Sequence, residues 1–170
     1  MSIRVGHGFD AHRLAEGRPF IVGGVRIDFP RGPLGHSDGD CLAHAIADAV
    51  LGACNLGELG GHFPDHDPKW KDADSIALLE RCGELARSAG YQFVNIDATV
   101  VVELPKLAAH LRAMRDRLAK ALRIDVDAIS VKAKTSDGMG YTGDGSGIAA
   151  YAVAAVERLS FGTPGGRTSG

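Results

Sequence analysis

The apolar period of the chain changes twice between residues 91 and 135, and this restricts its architecture more than any other feature. Val94, Ile96, Ala98, Val100 and Val102 recur at every second position of 91–104, the spacing of a strand, until Pro105 stops it. Over 106–123, Leu107, Leu111, Met114, Leu118 and Leu122 recur at threes and fours, the spacing of an amphipathic helix, and 129–135 returns to strand. Elements that alternate in this way bury their apolar sides by stacking as layers. The rest of the chain continues the alternation. Residues 3–9 and 19–27, rich in Val, Ile and Phe but broken by glycines, predict two extended pieces near a sheet edge or bend. Leu42, Ala45, Ile46, Ala49 and Val50 predict a helix over 41–54 capped by Ser37 or Asp38, and Ile76, Leu79 and Leu85 another from Asp74 or Ser75 to Gly90. Between them, 57–71 reads as a loop long enough to bind or to act as a lid. Residues 147–159 alternate Ile148, Ala150, Ala152 and Ala154, yet their alanine content suits a helix equally.

With no repeat or linker, the expectation is one α/β domain of the two-layer α+β kind over 1–159. It would hold a mixed sheet of about four main strands with helices on one face. Residues 160–170, rich in Gly, Ser, Thr and Pro, read as a loose tail. A length of 170 residues with 45% apolar content suits a single core. Nineteen basic and 21 acidic residues without a block of either sign leave no footprint for nucleic acid or an anionic membrane, so a small molecule is the expected partner. Cys41, Cys54 and Cys82 are odd in number and form no C-x-x-C pair, which argues against disulfides and a cysteine metal cluster. No run approaches the roughly 18 apolar residues of a membrane span, and the N-terminus lacks a signal-peptide core. The expected location is the cytoplasm.

Asp10 and His12 are two apart, so in an extended segment both project to one face. With His44 from the first helix they make a carboxylate and two imidazoles, a three-ligand zinc set that leaves a fourth position open for catalysis. Asp40, His44 and Asp48 share a helical stripe, and a neighbouring carboxylate there is a candidate to orient the imidazole. Alone, an Asp-x-His pair reads first as a turn residue beside a surface histidine. GHSDGD at 35–40 reads first as a capping turn, and GHFPDHDP at 61–68 as a solvated turn anchored by Phe63. KTSDGMGYTGDGSG at 134–147 follows a strand and is glycine-rich enough for backbone N–H groups to approach phosphate oxygens.

Taken in order, GFDAH at 8–12, HSDGD at 36–40, His44, FPDHDP at 63–68 and KTSDGMGYTGDGSG at 134–147 closely resemble the methylerythritol cyclodiphosphate synthase family, in register from about Ile3 to Leu159. The resemblance implies a homotrimer with active sites between subunits. It implies cyclisation of 4-diphosphocytidyl-2-C-methyl-D-erythritol 2-phosphate with release of CMP. Asp10, His12 and His44 would be zinc ligands. A second divalent cation, Mg2+ or Mn2+, would meet Asp137, which stands where the family has glutamate and must come closer or reach through water. His36 and Ser37 would contact the methylerythritol phosphate end, closed by Phe63 and Asp65, with Asp48 also counted among the substrate contacts. Glu58, where the family more often has aspartate, and Gly60 would meet the ribose. Val102, Pro105, Lys106, Leu107, Ala133 and Thr135 would build the cytosine pocket, and Lys134 and Thr135 would touch the phosphates. Many members carry an arginine, facing the threefold axis, where this chain has Asp144.

Two rival readings use the same trio. One is a zinc phosphodiesterase in which hydroxide attacks phosphorus. The other is a structural zinc, which calls for a fourth protein ligand that the sequence does not offer.

Overall fold

The computed structural model describes residues 2–159. The first strand, β1 (Ile3–Glu16), runs unbroken through the glycines that suggested an edge or a bend. Gly6 and Gly8 instead face helix α1 (Cys41–Cys54), where a Cβ would stand 2.0 Å from the Ala49 carbonyl oxygen and 1.8 Å from that of Ala45. Only glycine lets the strand backbone lie directly on the helix.

After β1 come a hairpin, β2 (Phe20–Val22) and β3 (Val25–Ile27), and a short strand, β4 (Arg31–Pro33). Strands β5 (Tyr91–Val101), β6 (Ile129–Lys134) and β7 (Gly147–Arg158) follow later in the chain. The main sheet has the order β4-β1-β7-β5-β6, so β1 is interior rather than an edge, and the second predicted piece, 19–27, forms the separate β2–β3 sheet. Antiparallel pairing joins β1 to β4 and β7, and β7 to β5. The β5–β6 pair is parallel, and its crossover carries α4 (Leu111–Leu122). A turn of 3-10 helix, Ala108–His110, precedes α4, so the helix begins later than its apolar period suggested.

Segment 147–158 is strand: Ile148, Ala150, Ala152, Ala154 and Val156 are buried while Tyr151 and Val153 are exposed, a period of two. Its alanines meet those of α1, where larger side chains would hold helix and sheet apart. The cap of α1 is Asp40, not Ser37 or Asp38. Fully buried, it accepts from Ala43 N at 3.0 Å and from Gly23 N and Gly24 N at 2.9 and 2.6 Å, so one carboxylate both caps the helix and docks the β2–β3 turn. Helix α3 (Ser75–Ser88) is capped by Asp74, one of the two caps its sequence offered. The 57–71 loop carries a short helix, α2 (Leu59–His62), and a 3-10 turn, Pro68–Trp70. The glycine-rich stretch folds around α5 (Gly140–Gly143).

The helices cover one face of the sheet. On the other, Ile3, Val5, Phe9, Tyr151 and Val153 are exposed, with the Phe9 and Tyr151 rings 5.0 Å apart. Residues 160–170, expected to form a loose tail, lie outside the described residues.

Candidate metal centre and adjoining pockets

Past Gly8, the helix-facing side of β1 presents Asp10 and then His12, while α1 brings His44 to them one turn beyond its cap. Asp10 Oδ2 lies 2.8 Å from His44 Nδ1 and 2.9 Å from His12 Nε2, and the three donor atoms fall within 4.8 Å of one another. His12 Nε2 is buried and has no hydrogen-bond partner, although it stands close to the Asp10 carboxylate. A carboxylate and two imidazoles converging on one gap, with a ring nitrogen left unpartnered, fit a divalent metal ion held by three protein ligands.

The charges agree. Burial alone would raise the Asp10 carboxyl, but the adjacent His12 and His44 imidazoles hold it well below the usual carboxylate range. Burial would likewise lower the His44 imidazole, yet the hydrogen bond and charge of Asp10, with the charges of Asp40 and Asp38, raise it above its ordinary value.

The carboxylates expected to orient His44 along its own helix do not touch its ring. Asp40 is spent on the cap, and Asp48 accepts from Leu59 N at 2.7 Å, fixing the start of α2. Nε2 of His44 instead meets Ser75 Oγ at 2.8 Å and Ser37 Oγ at 3.1 Å. Sequence reasoning missed Ser75, which is 31 residues from His44 and reads locally as a helix cap.

A cavity of about 240 Å³ opens beside the trio. It brings together His36, Ser37, Gly60, Phe63 and Asp65, all named from sequence, and adds Leu59, Trp70 and Leu78. Trp70 packs edge-on against Phe63, centroids 4.9 Å apart, and forms a wall the sequence did not announce. Glu58 sits exposed at the start of α2 and does not line this cavity.

A second cavity, about 130 Å³, gathers Val102, Pro105, Lys106, Leu107, Ala133, Lys134 and Thr135 where β5 and β6 end. It shares no residue with the first. Asp137 lies exposed just beyond it in a left-handed turn, φ 51°, and accepts from Thr135 Oγ1 at 3.4 Å, apart from the trio. A larger cleft, about 470 Å³ along residues 17–20 and 26–30, contains none of the chemical groups named above.

A sequence profile of the YgbB family matches residues 3–157. The 2-C-methyl-D-erythritol 2,4-cyclodiphosphate synthase of Clostridium perfringens is 53% identical over 151 residues, 89% of this chain and 97% of its own. That of Salinibacter ruber is 54% identical over 155 residues, 91% and 99% of the two chains. Among solved structures, the bifunctional IspDF of Campylobacter jejuni superposes with a TM-score of 0.90 at 38% identity, covering 94% of this chain and 43% of that longer polypeptide. A 2C-methyl-D-erythritol-2,4-cyclodiphosphate synthase in a CDP-bound form gives 0.83 at 38% identity, covering 91% of this chain and all of the other.

Proposed function

Because the chain belongs to the YgbB family, whose curated relatives here are 2-C-methyl-D-erythritol 2,4-cyclodiphosphate synthases, we propose that it performs their cyclisation at the Asp10, His12 and His44 centre. It is a phosphorus–oxygen lyase of the non-mevalonate isoprenoid pathway. It converts 4-diphosphocytidyl-2-C-methyl-D-erythritol 2-phosphate to the 2,4-cyclodiphosphate and CMP. The observation that carries the site assignment is the convergence of the trio, with its unpartnered His12 nitrogen, beside a cavity that His12 and His44 line.

The three residues would hold zinc, which when bound supplies a positive charge that polarises the β-phosphate. Asp137 is the proposed protein ligand of a second divalent cation, Mg2+ or Mn2+. His36 and Ser37 would grip the methylerythritol phosphate end, and Phe63 with Asp65 would close over it. Glu58 and Gly60 would meet the ribose. The second cavity would take cytosine against Pro105, Leu107 and Ala133, leaving Lys134 and Thr135 at its rim for the phosphates. Held this way, the substrate's 2-phosphate oxygen bonds to the β-phosphorus, while the bond from that phosphorus to the bridging oxygen breaks and its electron pair leaves with CMP. The attacking oxygen is already anionic, so no protein nucleophile or general base is required, and the residues act by alignment and charge.

Homotrimeric assembly is part of this reading. The two cavities are separate within one chain, and the β1–β7 part of the sheet face opposite the helices exposes Ile3, Val5, Phe9, Tyr151 and Val153, as a surface covered by neighbouring copies would. A cytoplasmic location accords with three buried free cysteines, and no helix among the described residues is long and apolar enough to cross a membrane. The test is phosphorus NMR on metal-stripped protein, restored with zinc and magnesium and given the cytidylylated 2-phosphate. Cyclic diphosphate and CMP are expected, and a free phosphomonoester would instead identify a hydrolase.

A further inference from the structure

Ser75 is 1% exposed, and its hydroxyl lies between a carboxylate and a ligand of the candidate metal centre. Asp38 grips this one residue with both oxygens: Oδ2 accepts from Ser75 N at 3.1 Å, and Oδ1 accepts from Ser75 Oγ–H. A carboxylate has no hydrogen to give, so the hydroxyl hydrogen is committed to Asp38. Ser75 Oγ, 2.8 Å from His44 Nε2, is then left only to accept. Ser37 Oγ, at 3.1 Å, accepts from Gly39 N; with its own hydrogen directed to Ser75 Oγ at 3.4 Å, it takes the longer arm of the same N–H. The proton of a neutral His44 therefore belongs on Nε2 and its lone pair on Nδ1, which faces Asp10 Oδ2 at 2.8 Å. Two acceptors facing each other at that distance are an arrangement that a cation relieves. The Ser75 hydroxyl is not needed to start α3, since Asp74 caps that helix through Ile76 N.

We propose that Asp38 and Ser75 form a relay of positioning residues that locks His44 in the Nε2–H tautomer and so presents Nδ1 as the metal-binding atom. The inference rests on the reading that Asp10, His12 and His44 hold zinc. It assigns a role to two residues, neither of which lines the cavity beside the trio.

The test is zinc competition against a chromophoric chelator, with nitrogen-15 NMR of the zinc-loaded His44 ring. Ser75→Ala keeps the backbone N–H to Asp38 and should weaken zinc binding by about tenfold, the lower end of outer-partner effects because Ser37 remains. Ser75→Thr, which keeps the hydroxyl, should bind like the unsubstituted protein. In the orientation that still accepts from Ser75 N, Asp38→Asn turns its amide N–H toward Ser75 Oγ and gives up the bond that Asp38 Oδ1 accepts from Asp40 N. That hydroxyl must then donate to His44, reversing the tautomer, so the loss should be at least as large. Combining Asp38→Asn with Ser75→Ala should cost clearly less than the two losses summed, because no hydroxyl remains to pass the reversal on. The ring spectrum should show a hydrogen-bearing Nε2 and a metal-bearing Nδ1.

Additive losses, Ser75→Ala within about twofold of the parent, or an Nδ1–H ring in the loaded protein would overturn the relay. If zinc binding is lost in His44→Ala but unchanged in Ser75→Ala, the relay alone fails. If His44→Ala leaves zinc binding intact, the metal reading fails with it.

Discussion

Asp10 and His44 are displaced in opposite directions around one gap: the carboxyl stays ionised far into acid, and the imidazole holds its proton above the ordinary 6.5. A metal ion entering the gap has no proton to expel from Asp10 but must expel one from His44 once the pH lies below that raised value. Apparent zinc affinity should therefore level off above it and fall by at least about tenfold per pH unit below it. Chelator competition between pH 5 and 9 checks this, and a flat profile across that range would contradict it. Asp10 and His12 were legible because strand alternation puts i and i+2 on one face whatever the tertiary structure. Ser75 and Trp70 were not. Ser75 reaches His44 only because α3 docks beside α1, and Trp70 faces the cavity only because it packs on Phe63.

At the scale of elements, the centre exists because β1 and α1 lie backbone to backbone. Gly8→Ala would place a methyl 1.8 Å from the Ala45 carbonyl oxygen and must push the helix carrying His44 away from the strand carrying Asp10. The expected cost is about 1–3 kcal/mol or more, read as a lower denaturant midpoint, together with loss of zinc affinity. Gly52→Ala in the same helix is the contrast: a Cβ there meets nothing within 4 Å, and the change should stabilise by roughly 0.5–1 kcal/mol. Equal effects of the two would show that close approach is not what Gly8 provides. The helices were legible from their period. The glycines of β1 were misread as a bend, because a sequence does not tell a glycine needed for φ from one needed for room. The alanines of β7 hid its period for a related reason, since a small side chain that admits a helix above a sheet looks like one that forms a helix.

At the scale of the whole molecule, the cavity beside the trio and the cavity at the ends of β5 and β6 lie apart, β1 and β7 expose apolar side chains, and we propose that three copies resolve both features. Asp144 bears on the same assembly. Hydrogen bonds from the Ser146 side chain and backbone hold its exposed carboxyl below the ordinary range, so a threefold axis lined by this residue would gather three carboxylates. Calorimetry without divalent metal should detect no binding of geranyl or farnesyl diphosphate, and Asp144→Arg should introduce it. Micromolar binding by the unsubstituted protein would show that the axis is not lined by Asp144. The central claim, that the metal trio of one subunit works with the cytosine pocket of the next, has a direct test. His12→Ala removes a metal ligand, and Ala133→Leu narrows the second cavity; each is expected to be a folded, inactive trimer. Refolded together, they should regain part of the parent activity, because some interfaces in mixed trimers pair an intact trio with an intact pocket. Mixed trimers without activity, or full activity in an isolated monomer, would contradict the account.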